Sequence, residues 1–163
     1  MDIQFKREFR EAIESGRKVV TRRRVRVTVT RRGWAYDLHG VERDPEAERW
    51  VAYYLSSYYE DDGSYVVETT SVPCRYDRSE LRPRYGPRFR PEYGPPLRVV
   101  SVRPERLGDI TDADARREAI GALGYAETRA GFLALWAAMY PQHADPATLV
   151  WRIELRADAE GER

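Results

Sequence analysis

Only two of the chain's 28 basic residues are lysines, Lys6 and Lys18, and the second falls inside SGRKVVTRRR, residues 15–24. Arginine stays protonated, whereas lysine shifts its pKa when it is desolvated or crowded by like charge. Lys18 lies beside Arg17, Arg22 and Arg23 in such a field. In a cleft, a neutral Lys18 can accept a proton and a charged one can polarise a carbonyl. A second chemistry is written in arginines and aromatics. Arg22, Arg24 and Arg26 share one edge or face of an extended run, and residues 74–96 interleave Arg82, Arg84, Arg88 and Arg90 with Tyr85, Phe89 and Tyr93. Guanidinium groups contact phosphates and aromatic faces stack on unpaired bases, so both stretches are candidate nucleic-acid contacts. An Arg/Pro/Tyr loop serves equally as a solvated wrap over a sheet.

The elements that must position these groups follow from periodicity. Phe5, Phe9, Ala12 and Ile13 recur at helical spacing before Gly16, which predicts a helix over 3–15, with a short strand as the alternative for its first residues. Extended chain begins at Lys18. The run RVRVTVTR, 24–31, alternates Val25, Val27 and Val29 with polar residues and predicts a half-buried strand. Further strands are expected at 33–40, 50–60 and 64–72, the last two joined by a hairpin at Asp62-Gly63. Residues 41–49 read as a loop or short helix. The five prolines of 74–96 predict a long loop. A strand at 97–103, a helix capped by Thr111, a helix over 128–139 with Phe132, Leu135, Trp136 and Met139 facing the core, and a strand at 149–156 complete the chain. The order predicts an α+β domain with a mostly antiparallel sheet curled into a small barrel and flanked by two to three helices. It spans residues 1–156 as one domain and leaves 157–163 as a frayed tail.

Composition narrows the classes. One cysteine, Cys74, excludes an internal disulfide and reads as an inert thiol rather than a nucleophile. His39 and His143 have no partners at metal-ligand spacing, so no metal and no cofactor are expected. The longest apolar run, FLALWAAMY, is too short to span a membrane, and the charged N-terminus lacks a signal core, which together predict a cytoplasmic protein. Net charge is only +1, but eight basic and no acidic residues fall in 17–32, while Glu105, Asp109, Asp112, Asp114 and Glu118 cluster in 105–118. Such unevenness decides partners more than the sum does.

Three segments resemble the ASCH domain family of the PUA-like superfamily. They are F-x(3)-F-x(3)-I-x-S-G-R-K-x-x-T-x-R from Phe5 to Arg23, VVSVRPERLGDITDADARRE at 99–118, and GFLALWAAMYP followed by VWRIEL at 131–155. Residues 33–96 fall outside the resemblance, and Ala119 stands where members usually carry glycine after the motif's glutamate. The resemblance implies a small barrel with a cleft between the first helix, the lysine segment and the acidic helix. It implies RNA or a modified nucleoside as ligand. One similar branch hydrolyses the amide of N4-acetylcytidine, and its functional lysine, threonine and glutamate match Lys18, Thr21 and Glu118, with Arg17 and Arg23 as ligand contacts. On that reading Thr21 is the nucleophile, Lys18 its base or an electrophile, and Glu118 the acid for the leaving amine. RNA cleavage, and RNA or protein binding without catalysis, are the alternatives. Without the family, Lys18 and Thr21 at a helix–strand junction read as a cap and a surface charge, and Glu118 as a partner of Arg116 or Arg117.

Overall fold

The structure is a computed structural model describing residues 1–157. Of the tail expected to fray, only Ala157 is among the described residues, and it closes a strand. The chain divides into two compact units, one of Met1–Arg23 with the chain from Arg78 onward and one of Arg24–Asp77. The middle segment forms a unit of its own because its hairpins pair with one another in a separate sheet.

The first unit contains β1 (Asp2–Phe5), α1 (Arg10–Glu14), β2 (Val20–Arg24), β7 (Glu80–Tyr85), β8 (Glu92–Tyr93), β9 (Leu97–Arg106), α2 (Asp112–Arg117), α3 (Arg129–Met139) and β10 (Leu149–Ala157). The second contains β3 (Thr28–Arg31), β4 (Trp34–Asp44), β5 (Arg49–Tyr59) and β6 (Tyr65–Pro73). The α+β class and the mostly antiparallel pairing are as expected. The first sheet runs β1-β7-β9-β10-β2 with β8 on β7, and β1 and β7 are parallel. That order is a path with β1 and β2 at its ends, so among the described residues no strands close into a barrel.

Of the helix predicted over 3–15 only a 3₁₀ turn at Arg7–Phe9 and the short α1 form, and its first residues take the alternative of a short strand, β1. Ile3 and Phe5 alternate with exposed neighbours and are buried, so their period of two overrides the helical spacing that begins at Phe5. The long loop expected at 74–96 contains β7 and β8. Leu81, Pro83 and Tyr85 form its buried face, a period-2 pattern masked by a proline inside the run. β4 runs on to Asp44 because Val41 and Glu42 pair with Ala52 and Val51, leaving a short connection where a loop or helix was predicted over 41–49. The alternating run 24–31 breaks after Arg24, and Val27 is exposed while Val25 and Val29 are buried. The Asp62-Gly63 hairpin forms as predicted, with Gly63 at φ 82° and Tyr59 opposite Tyr65.

Thr111 and Thr128 cap their helices by accepting from the backbone N–H of Asp114 and Gly131, each at 3.1 Å. The helices pack through Leu107, Ile110, Ala115, Ile120, Phe132, Leu135, Trp136 and Val150. Met139, expected in that core, is exposed.

Candidate functional site

Lys18 lies outside β2. Its backbone N–H bonds the carbonyl of Ala12, that of Val19 bonds Arg117, and regular strand begins at Val20. This irregular step places Lys18 and Thr21 on one cleft, although an odd offset within a strand would send them to opposite faces. Lys18 is 4% exposed. Its ammonium donates to the Glu118 carboxylate at 2.7 Å, the Glu118 carbonyl at 2.8 Å and the Val20 carbonyl at 3.1 Å, which uses all three of its protons. The Phe9 ring lies 4.4 Å from the nitrogen. Burial pulls the Lys18 pKa below its ordinary value, and the Glu118 carboxylate opposes that pull.

Glu118 follows the last turn of α2, and its carbonyl receives the ammonium as a C-terminal cap. The next residue, Ala119, is left-handed at φ 52°, the conformation that glycine adopts without strain. The second Glu118 oxygen accepts from Arg22 at 3.2 Å. Arg22 also donates to Glu105 at 2.8 Å and Asp114 at 2.5 Å, and Asp114 receives Arg152 through both oxygens at 3.1 Å. Lys18, Arg22 and Arg152 are thus balanced by Glu118, Asp114 and Glu105 in one buried network. Hydrogen bonds from Arg152, followed by those of Arg22, hold the Asp114 carboxyl well below the usual range, against the effect of burial.

The cleft above this network has a volume of about 270 Å³. Its walls include Phe5, Phe9, Phe132, Trp136 and Tyr140, with Lys18, Thr21 and Glu118 as the convergent polar groups. Every lining residue belongs to the first unit. The Thr21 hydroxyl accepts from Arg23 at 3.0 Å, and Arg23 lies over the Phe5 ring. A donor on that oxygen favours its ionised form.

The other predicted residues are placed differently. Arg17 is largely exposed and paired with Glu11, and does not line the cleft. Arg22, expected to face nucleic acid, is buried among three carboxylates, so its guanidinium is withheld from phosphate. Tyr85, expected to stack on bases, is fully buried in β7, and its hydroxyl has no hydrogen-bond partner among the described residues. Burial pushes its pKa up to about 12. Arg24, the last residue of β2, and Arg26, in the second unit, are both exposed. Arg82 is exposed over the Tyr93 ring at 4.4 Å, Arg84 donates to Gln4, and Arg88 and Arg90 are exposed beside Phe89. Cys74 is buried, which pushes its thiol up to about 11.

Glu105, Asp114 and Arg152 were not foreseen as members of the site. The legible signal was Arg152 itself, a charge between Trp151 and Ile153 in an otherwise apolar strand. Among the described residues no group of three His, Cys, Asp or Glu side chains is arranged to hold a metal ion, and no helix is long and apolar enough to cross a membrane. Comparison of the chain with protein families, curated proteins and solved structures gives no match.

Proposed function

We propose that the protein is a PUA-like, ASCH-type domain protein that hydrolyses the amide of an N4-acylated cytidine in this cleft. The observation that carries the reading is the buried Lys18–Glu118 pair, which opens with Thr21 onto an aromatic-walled cavity. Such a pair holds one proton that can move. Its transfer from Lys18 to Glu118 leaves a neutral amine and a carboxylic acid, the base and the acid that amide cleavage needs, and low dielectric makes that transfer cheaper. The Thr21 hydroxyl attacks the acyl carbonyl and gives its proton to Lys18. As the tetrahedral species collapses, Glu118 protonates N4 of the departing cytidine. The pair returns to ammonium and carboxylate, with the acyl group on Thr21. Water then repeats the cycle and releases the carboxylic acid. Arg23, donating to the Thr21 oxygen, eases its ionisation.

The test is release of cytidine from N4-acetylcytidine by the purified chain. Hydrolysis is expected from wild type and Thr21→Ser. It should be lost in Thr21→Val, with circular dichroism confirming each fold. A folded wild type that releases no cytidine would end the amidohydrolase reading. RNA binding without catalysis is favoured by one observation. Phe89 is 92% exposed between exposed Arg88 and Arg90, which suits a stacked base flanked by phosphates. On that reading Arg88→Ala with Arg90→Ala weakens RNA binding, while Glu118→Gln leaves it unchanged.

A further inference from the structure

The second unit contains a cavity that the cleft chemistry does not use. It measures about 650 Å³ and is lined by Arg31 and Arg32, Trp34 and Tyr36, and Glu68 and Thr70, among others. Each of these belongs to the sheet β3-β4-β5-β6 or to its first hairpin turn.

Three features of this cavity need a reason. Trp34 remains 57% exposed on a sheet face, and its indole is stacked on Tyr58 with centroids 5.6 Å apart at 21°. The stack fixes the ring's orientation without covering it. Next, Arg31 pairs directly across the hairpin with Trp34, and Arg32 occupies the turn at φ 51° before Gly33 at φ 83°. That geometry favours Asn or Gly, so an arginine there is a strained choice whose side chain is what the position gains. Neither guanidinium has a carboxylate partner among the described residues. Finally, Glu68 is held by two phenols. Tyr36 donates to one oxygen at 2.8 Å and Tyr58 to the other at 3.1 Å. Each carboxylate oxygen keeps a lone pair for another donor.

We propose that this face binds an unpaired guanine nucleotide, with the base stacked on Trp34, its phosphate on Arg31 and Arg32, and its N1–H and N2–H donors on Glu68. An aromatic platform takes any base, and the two guanidiniums supply the sequence-independent attraction. The fixed carboxylate supplies the preference, because only guanine offers two parallel N–H donors on its pairing edge. Adenine presents an acceptor there and leaves Glu68 facing a lone pair. The site is independent of the Lys18 cleft, so either can fail without the other.

The test uses the full chain and Trp34 fluorescence, with Trp34→Phe to isolate that signal from the other three tryptophans. The probes are the RNA pentamers UUGUU and UUAUU, with GMP and guanosine. Saturable quenching by UUGUU is expected, absent in Trp34→Phe, and about tenfold tighter than with UUAUU. Glu68→Gln should remove the preference while sparing the fold, since the amide oxygen still accepts from one tyrosine and the amide N–H donates to the hydroxyl of the other. One neutralised phosphate predicts a slope of log affinity against log salt of about −0.7, shallower in Arg32→Ala. GMP binding as tightly as UUGUU supports the site as one for free nucleotide. Binding of the pentamer alone supports it as one for single strands. No quenching by any probe, equal affinity for the two pentamers, or affinity unchanged in Arg31→Ala and Arg32→Ala would overturn the assignment.

Discussion

Replacing Glu118 by glutamine removes one charge and almost no volume, so it isolates what the buried network contributes. The Lys18 and Glu118 side chains are 2% and 4% exposed, which leaves little water to screen the loss. Breaking a buried ion pair by removing one partner costs about 3–5 kcal/mol. Here the loss is shared unequally. Arg22 keeps Glu105 and Asp114, while Lys18 keeps only two carbonyls. Lys18 can shed its proton where Arg22 cannot, so the lower end applies, about 3 kcal/mol or a melting point lower by roughly 6–12 °C. The pH dependence has a definite sign. Burial places the folded Lys18 pKa below the ordinary value of 10.5, so between the two values the unfolded chain binds more protons and stability rises with pH. Glu118→Gln deletes the partner that opposes this shift and widens the window. Its deficit should therefore shrink between about pH 7 and about pH 9.5. Urea denaturation followed by circular dichroism at both pH values measures it. A deficit below about 1 kcal/mol at neutral pH, or one that does not shrink in base, would refute the reasoning. Lys18→Met combined with Glu118→Gln should cost less than the sum of the singles by about 1–3 kcal/mol.

Asp114 carries the opposite dependence. Its folded pKa lies below the unfolded value of 3.8, so its contribution is present above that value and is lost as pH falls through the folded one. Asp114→Asn should lower stability at neutral pH and flatten its fall in acid, as read by melts across an acid pH series. Tyr85→Phe deletes a buried hydroxyl with no partner among the described residues and should leave stability unchanged or raise it by about 1 kcal/mol. A loss above that in urea titration would show that the hydroxyl is satisfied. Both alanines are buried, but Ala119→Gly relieves a left-handed backbone, whereas Ala115→Gly puts glycine into the interior of α2. The first variant should be the more stable by roughly 2 kcal/mol in thermal melts.

The legible parts of the fold were those whose local chemistry and long-range packing agree. Thr111 announced its cap, and Asp62-Gly63 its hairpin, because each motif is satisfied within a few residues. β7 was hidden, and β1 legible only as an alternative to helix, because the two pair with each other across some 80 residues, Ile3 with Pro83 and Phe5 with Tyr85. No local pattern reports a partner so distant, and a proline in the run argued against it. Lys18 stood out as the lysine where arginine is the rule, and that contrast pointed to the buried position. Arg22 was misjudged for the converse reason. Nothing in RRR separates the residue that enters the core from the neighbours that face water, and only the register of β2 decides it.

The place of β10 in the first sheet has a consequence for the order in which the chain can assemble. β2 is joined to that sheet through β10, with the Leu155 amide donating to the Val19 carbonyl, so the strand carrying Thr21 has no neighbour until the last described strand exists. The sheet β3–β6 needs only consecutive hairpins and is complete by Pro73. At about 5–20 residues per second, a ribosome adds the intervening stretch in roughly 4–15 s. During that interval the middle sheet can already be native while β2, with Val20 and Thr21, still lacks the strand it pairs with.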